Sequence, residues 1–117
     1  MLQNLNEVND RHQVQGDNRD FVELNYYTMK QLEKKYGSSF YILNMKKLRD
    51  NYQKIYHAFK SKYKNFVIGY SYKTNYLPIL CKELSVLGAH AEVVSRLEYD
   101  LAIKIGVEPE KIILMDH

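Results

Sequence analysis

The chain has 117 residues, of which 45% are hydrophobic and 26% charged, so it can form one small globular domain and is neither collagen-like nor fully disordered. The formal net charge is +3, which is too small to define a partner by itself. The short apolar runs exclude a membrane helix, and a single cysteine excludes an internal disulfide, so we expect a cytoplasmic protein with no membrane partner.

Three segments precede the first predicted repeating unit. Residues 1–20 are rich in Asn, Asp and Gln and have no hydrophobic periodicity, which predicts a flexible polar arm. Apolar residues with helical spacing predict a leading helix over 28–36, with Gly37 after its end. The β-rich run 39–43 predicts a strand. Together with the next helix, these two elements form a predicted unit over 21–64.

The following segment predicts an amphipathic helix over 45–60, with Asn44 as its N-cap. Five apolar side chains form its helical stripe: Leu48, Tyr52, Ile55, Tyr56 and Phe59. Between Lys46 and Lys64 there are seven basic residues and one acid, Asp50. Two interpretations stay open, namely a solvated basic helix side or a nucleic-acid face. We expect the first, and therefore no nucleic-acid partner.

Residues 65–117 show a repeating order of strand, helix, strand, helix, strand. The strands are predicted over 65–73, 89–94 and 111–115, and the helices over 78–87 and 96–105. Ser95 and Glu98 form a Ser-x-x-Glu capping box for the second helix. This order predicts a parallel α/β sheet, either an open doubly wound sheet or part of an eight-stranded barrel.

The first of these strands carries the chemically informative residue, Lys73. Strand alternation separates Phe66, Ile68, Tyr70 and Tyr72 from Val67, Gly69, Ser71 and Lys73. Lys73 then lies at the carboxyl end of a parallel strand, where such sheets hold ligands. There its amine could react with an aldehyde cofactor, or it could be an ordinary surface lysine.

The residues around Lys73 resemble a known family. The segment 70–78, Tyr-Ser-Tyr-Lys-Thr-Asn-Tyr-Leu-Pro, is similar to the pyridoxal-phosphate lysine motif of the fold-type III decarboxylases that act on diaminopimelate, ornithine and arginine. The resemblance extends over about residues 30–115, through the segments 36–43, 48–52, 87–95 and 106–113. Several motifs in the right order make it much more specific than the lysine motif alone.

The resemblance implies an incomplete (β/α)8 barrel of the TIM type. Its first three parallel strands with their helices would be present, together with the preceding strand and helix. It also implies that Lys73 is the catalytic residue that forms the Schiff base with pyridoxal 5'-phosphate. Glu92 and Glu98 would be cofactor-binding residues. Glu98 also suits a helix-capping role. The substrate would be an amino acid, and the full-length parent would be a homodimer.

A complete barrel of this type needs about 250 residues, so the chain resembles only the N-terminal part of such an enzyme. We expect the 117-residue chain to be inactive by itself. The alternative is a truncated or non-catalytic homologue that acts as a binding or interaction protein. The four histidines have no metal-ligand spacing, and no metal site is predicted.

Overall fold

A computed structural model of the protein describes residues 24–115. The predicted arm over 1–20 lies outside the described residues. The elements in chain order are α1 (Tyr26–Tyr36), α2 (Met45–Lys60), β1 (Gly69–Ser71), α3 (Pro78–Leu87), β2 (His90–Val93), α4 (Arg96–Lys104), a 3-10 turn (Pro109–Lys111) and β3 (Ile112–Leu114). The predicted alternation of strands and helices after residue 65 is therefore confirmed.

The three described strands form one parallel sheet in the order β1-β2-β3. In the register of this sheet Tyr70 lies beside Ala91, and Ala91 lies beside Ile112. β1 is shorter than the predicted strand, but pairing continues beyond both of its ends. The His90 amide donates to the Ile68 carbonyl at 2.8 Å, and the Tyr72 amide donates to the Glu92 carbonyl at 2.9 Å. The prediction of a parallel α/β sheet is confirmed.

The strand predicted over 39–43 is wrong, because the segment has no regular secondary structure. A strand needs a hydrogen-bonded neighbour, and the three described strands pair only with one another. The side chain of Tyr41 is 83% exposed, so the β-rich composition here does not reflect a packed sheet surface. The helix before it begins two residues earlier than predicted, since the Asn25 side chain accepts the Thr28 amide at 2.9 Å.

The amphipathic helix α2 has the predicted bounds. Its N-cap is Asn44, whose side-chain oxygen accepts the Lys47 amide at 2.8 Å. Tyr52 is 6% exposed and belongs to a core cluster with Leu80 and Leu84 of α3. All seven basic residues between Lys46 and Lys64 are exposed, as a solvated basic side requires.

The face of the sheet that carries Tyr72 and Val93 packs against α3 and α4. Its main cluster consists of Tyr72, Cys81, Ala91, Val93, Ala102 and Val107. Cys81 is 1% exposed, and burial raises the pKa of its thiol to about 11. The thiol is therefore a packed, protonated group in this core.

The buried thiol predicts a loss of stability in alkali. The pKa of Cys81 is about 11 in the folded chain and 9.0 for the free thiol, so only the unfolded chain gains from ionisation as the pH first rises. We expect the free energy of unfolding to be unaffected by this thiol below about pH 9, and by pH 10 to have lost about 1 kcal/mol through it. Urea unfolding at pH 8 and pH 10 measures the loss. It should be smaller in Cys81→Ala, and an equal loss in that variant would contradict the assignment.

Candidate functional site

The sheet has one face covered by helices and one open face. The open face is formed by Val67, Gly69, Ser71, Glu92 and Ile113. Val67 is 58% exposed, whereas Tyr72 on the opposite face is 1% exposed. A Cβ added at Gly69 would lie 3.6 Å from Cδ1 of Ile113, which places these two residues on the same face. The predicted division of the first strand into two faces is therefore confirmed for Val67 through Tyr72.

Lys73 lies in the turn that follows β1, at the carboxyl edge of the sheet. The Thr74 amide donates to the Ser71 carbonyl at 3.1 Å and closes this turn. The Lys73 side chain is exposed, and it forms no ion pair with any carboxylate within residues 24–115. The sequence predicts that the strand ends at Lys73, whereas β1 ends at Ser71, so Lys73 lies in the turn two residues beyond the strand rather than at its last position.

Hydrogen bonds from two sides hold the segment after Lys73. The Tyr70 hydroxyl donates to the Asn75 carbonyl at 2.9 Å, and the Leu77 amide donates to the Asn75 side-chain oxygen at 3.1 Å. The Cys81 thiol lies 3.7 Å from the same carbonyl. Sequence reasoning missed this role of Tyr70 and Asn75. An Asn three residues before a helix that starts with Pro78 is a turn signal that could have indicated the bond from the Leu77 amide to the Asn75 side chain.

Glu92 lies in β2 beside Ser71, and both side chains belong to the open face. Both residues are half-buried. The Ser71 hydroxyl oxygen is buried and has no hydrogen-bond partner among the residues that the structure describes. A buried hydroxyl without a partner is costly, so its position suits a contact with a polar group that is not part of this segment.

Glu98 has a structural role that the sequence had left open. It is 7% exposed, and its carboxylate accepts the Val94 amide at 2.8 Å. Its own amide donates to the Ser95 hydroxyl at 3.2 Å, so the predicted Ser95 cap is confirmed, whereas the Glu98 carboxylate bonds the amide of Val94 rather than that of the capping residue. The carboxylate closes the connection between β2 and α4, and a cofactor contact by Glu98 stays a prediction.

The capping role predicts a difference between two substitutions of Glu98. Glu98→Ala leaves the Val94 amide without its acceptor, so we expect the free energy of unfolding to fall by about 2 kcal/mol. Glu98→Gln keeps an acceptor oxygen and should cost less than half of that. Urea unfolding of both variants gives the comparison. A stable Ala variant would show that the hydrogen bond contributes nothing.

Other features of residues 24–115 give no alternative ligand site to the sheet edge that carries Lys73. A crevice between the sheet and α3, lined by Tyr70, Tyr72 and Cys81 among others, has no space for a water molecule. In residues 24–115 no three His, Cys, Asp or Glu side chains are grouped as metal ligands would be. None of the helices over this range is long and apolar enough to cross a bilayer.

The donor set at the carboxyl edge of the sheet fits an aldehyde cofactor in part. Lys73 offers a primary amine that no described carboxylate engages, Ser71 offers a buried hydroxyl without a partner, and Glu92 offers a carboxylate on the same face. A lysine amine is the group that condenses with such an aldehyde. The described residues can therefore hold the reactive end of the cofactor.

Comparison with known proteins gives a consistent set of relatives. The chain is 29% identical over 107 residues to a diaminopimelate decarboxylase of Methanothermobacter thermautotrophicus, covering 92% of this chain and 23% of that protein. It is 31% identical over 86 residues to that of Aquifex aeolicus, covering 74% of this chain and 20% of the relative. It is 31% identical over 101 residues to the diaminopimelate decarboxylase of Methanocaldococcus jannaschii, covering 83% of this chain and 23% of that relative.

The chain thus spans about a fifth to a quarter of the length of these curated relatives. No protein-family model matches the chain. No solved structure matches it either.

Proposed function

We propose that this chain, which belongs to the pyridoxal-phosphate-dependent decarboxylases as a segment of that family, supplies the cofactor-binding lysine of an amino-acid decarboxylase. The observation that carries the proposal is the position of Lys73, an exposed amine at the carboxyl edge of a parallel sheet. The three relatives that match 74–92% of the chain are all diaminopimelate decarboxylases, which supports this reaction class.

The described sheet would then be part of a (β/α)8 barrel. Three parallel strands in sequential order, covered by helices on one face, are what the first strands of such a barrel would form. The open face would point to the barrel interior, which explains why Val67 and Ile113 lack cover in this segment. The relatives are four to five times longer than the aligned segment, which leaves room for the remaining strands.

The residues of this chain have separate roles in the proposed reaction. Lys73 would hold the cofactor through its amine, and substrate would displace it. When bound, pyridoxal phosphate takes up the electron pair that the departing carboxylate leaves behind. Ser71 would donate its buried hydroxyl to a polar group on the open face, and Glu92 would place a carboxylate beside it. Glu98 would act mainly by fixing the start of α4, with a cofactor contact as a further prediction.

The substrate would be an amino acid, and the complete protein would act as a homodimer. A complete site needs a group that binds the cofactor phosphate and a group that faces its ring nitrogen, and we have assigned neither to the described residues. The chain alone should therefore be inactive. A non-catalytic binding role is the second candidate, favoured by apolar side chains that remain exposed at the β3 edge, where Leu114 is 69% and Met115 43% exposed.

The test is carbon dioxide release by the protein expressed from its complete natural reading frame. Purified protein, with and without pyridoxal phosphate, is given carboxyl-labelled diaminopimelate, ornithine, arginine and lysine in turn. We expect saturable release from one of them that depends on the cofactor. If the protein releases carbon dioxide from none of these four substrates and from no other amino acid, the proposal is overturned and the binding role is favoured.

A further inference from the structure

The turn that carries Lys73 is held by a side chain from the strand before it. We propose that the Tyr70 hydroxyl is a positioning group for Lys73, which holds the segment from 73 to 77 against the carboxyl edge of the sheet. The inference deepens the proposed function and rests on it for the role of Lys73. The hydrogen bond itself does not depend on that function.

Tyr70 is anchored well enough to act as a fixed point. It lies in the middle of β1, its ring packs against both core clusters, and Ala91 lies beside it in the sheet. Its hydroxyl reaches past Lys73 to the Asn75 carbonyl at 2.9 Å. Burial raises the pKa of this hydroxyl, so it remains a protonated donor throughout the physiological pH range.

The contact completes a set of restraints on both sides of Lys73. Before it, the Tyr72 amide donates to the Glu92 carbonyl at 2.9 Å. After it, the Asn75 side chain accepts the Leu77 amide at 3.1 Å at the start of α3. Within residues 24–115 the Asn75 carbonyl accepts one other hydrogen bond, from the weakly donating Cys81 thiol at 3.7 Å. Without the Tyr70 hydroxyl, the stretch from Asn75 to Leu77 loses its side-chain bond to β1, and among the described residues the turn keeps only the backbone bond from the Thr74 amide to the Ser71 carbonyl at 3.1 Å.

Tyr72 supplies a matched control two residues away. Its ring centroid lies 6.2 Å from that of Tyr70, and its side chain is 1% exposed. The Tyr72 hydroxyl is buried next to the Cys81 thiol, and within the described residues it forms no hydrogen bond with the segment 73–77. Tyr70→Phe and Tyr72→Phe therefore remove the same atom from neighbouring rings, but only the first removes a hydrogen bond to the lysine turn.

The first measurement is amide hydrogen exchange in the protein from the complete reading frame, resolved to peptides that cover 73–77 and 89–93. In Tyr70→Phe we expect about five-fold faster exchange in 73–77, the scale of one lost hydrogen bond, with 89–93 unchanged. In Tyr72→Phe we expect both peptides to exchange as in the unaltered protein. Unchanged exchange in Tyr70→Phe, or equal acceleration in the two variants, would overturn the inference.

The second measurement asks whether the turn presents the Lys73 amine. The protein is incubated with pyridoxal phosphate and reduced with borohydride, and the labelling rate of Lys73 is divided by that of Lys82, an exposed lysine on α3. We expect Tyr70→Phe to lower this ratio about five-fold and Tyr72→Phe to leave it unchanged. An unchanged ratio in Tyr70→Phe would overturn the positioning role. No preference for Lys73 in the unaltered protein would instead refute the proposed function, and the exchange measurement would still decide on the turn.

Discussion

Lys73→Arg should abolish both cofactor attachment and decarboxylation in the protein from the complete reading frame. The guanidinium group keeps the positive charge, but it stays protonated and cannot condense with the cofactor aldehyde. We expect carbon dioxide release to fall by at least about 1,000-fold, the scale seen when a reacting group is removed from an enzyme. The absorbance of the cofactor bound to the protein should disappear together with the activity.

The matched control for this substitution is Lys82→Arg. Lys82 is an exposed lysine on α3, nine residues further along the chain and outside the edge that carries Lys73. We expect its replacement to leave activity and absorbance unchanged. A Lys73→Arg protein that keeps both properties would show that another lysine holds the cofactor.

Val93→Asp should prevent the chain from folding. Val93 is 0% exposed in the central strand β2, and its carbonyl accepts the Met115 amide at 2.9 Å. A carboxylate without a partner at this position costs several kcal/mol, which is comparable with the total stability of a small domain, about 5–15 kcal/mol. Circular dichroism should show no cooperative thermal transition.

Val67→Asp provides the comparison on the open face of the sheet. Val67 is 58% exposed, so its replacement keeps the new carboxylate in water and should change the free energy of unfolding of the 117-residue chain by less than about 1 kcal/mol. Equal loss of structure in the two variants would mean that the open face is covered. A Val93→Asp chain with an unchanged transition would contradict the packing of β2 against α3 and α4.

The elements that the sequence predicted correctly are those with local signals. Asn44 caps α2, and Ser95 with Glu98 caps α4, because each side chain bonds an amide a few residues away. The segment 39–43 was predicted wrongly since strand formation depends on a distant partner, and its composition carries no information on whether one is present. β1 is shorter than its apolar pattern for the same reason.

The candidate site also has some features that the sequence predicted and others that it could not predict. Strand alternation predicted that Ser71 and Val67 share a face, and the parallel order predicted that Lys73 lies at the carboxyl edge. The bond from the Tyr70 hydroxyl to the Asn75 carbonyl could not be predicted, because it depends on how the turn folds back over the ring. Periodicity also cannot show that the Ser71 hydroxyl lacks a partner, since that depends on the packing around it.

The identity of the lysine that binds the cofactor tests the proposed role of Lys73 most directly. The protein from the complete reading frame is saturated with pyridoxal phosphate, reduced with borohydride and digested, and the modified peptide is identified by mass spectrometry. We expect one modified peptide, which contains Tyr72, Lys73 and Thr74, at close to one label per chain. A label on a different lysine, or labels spread over many exposed lysines with no excess at Lys73, would contradict this role.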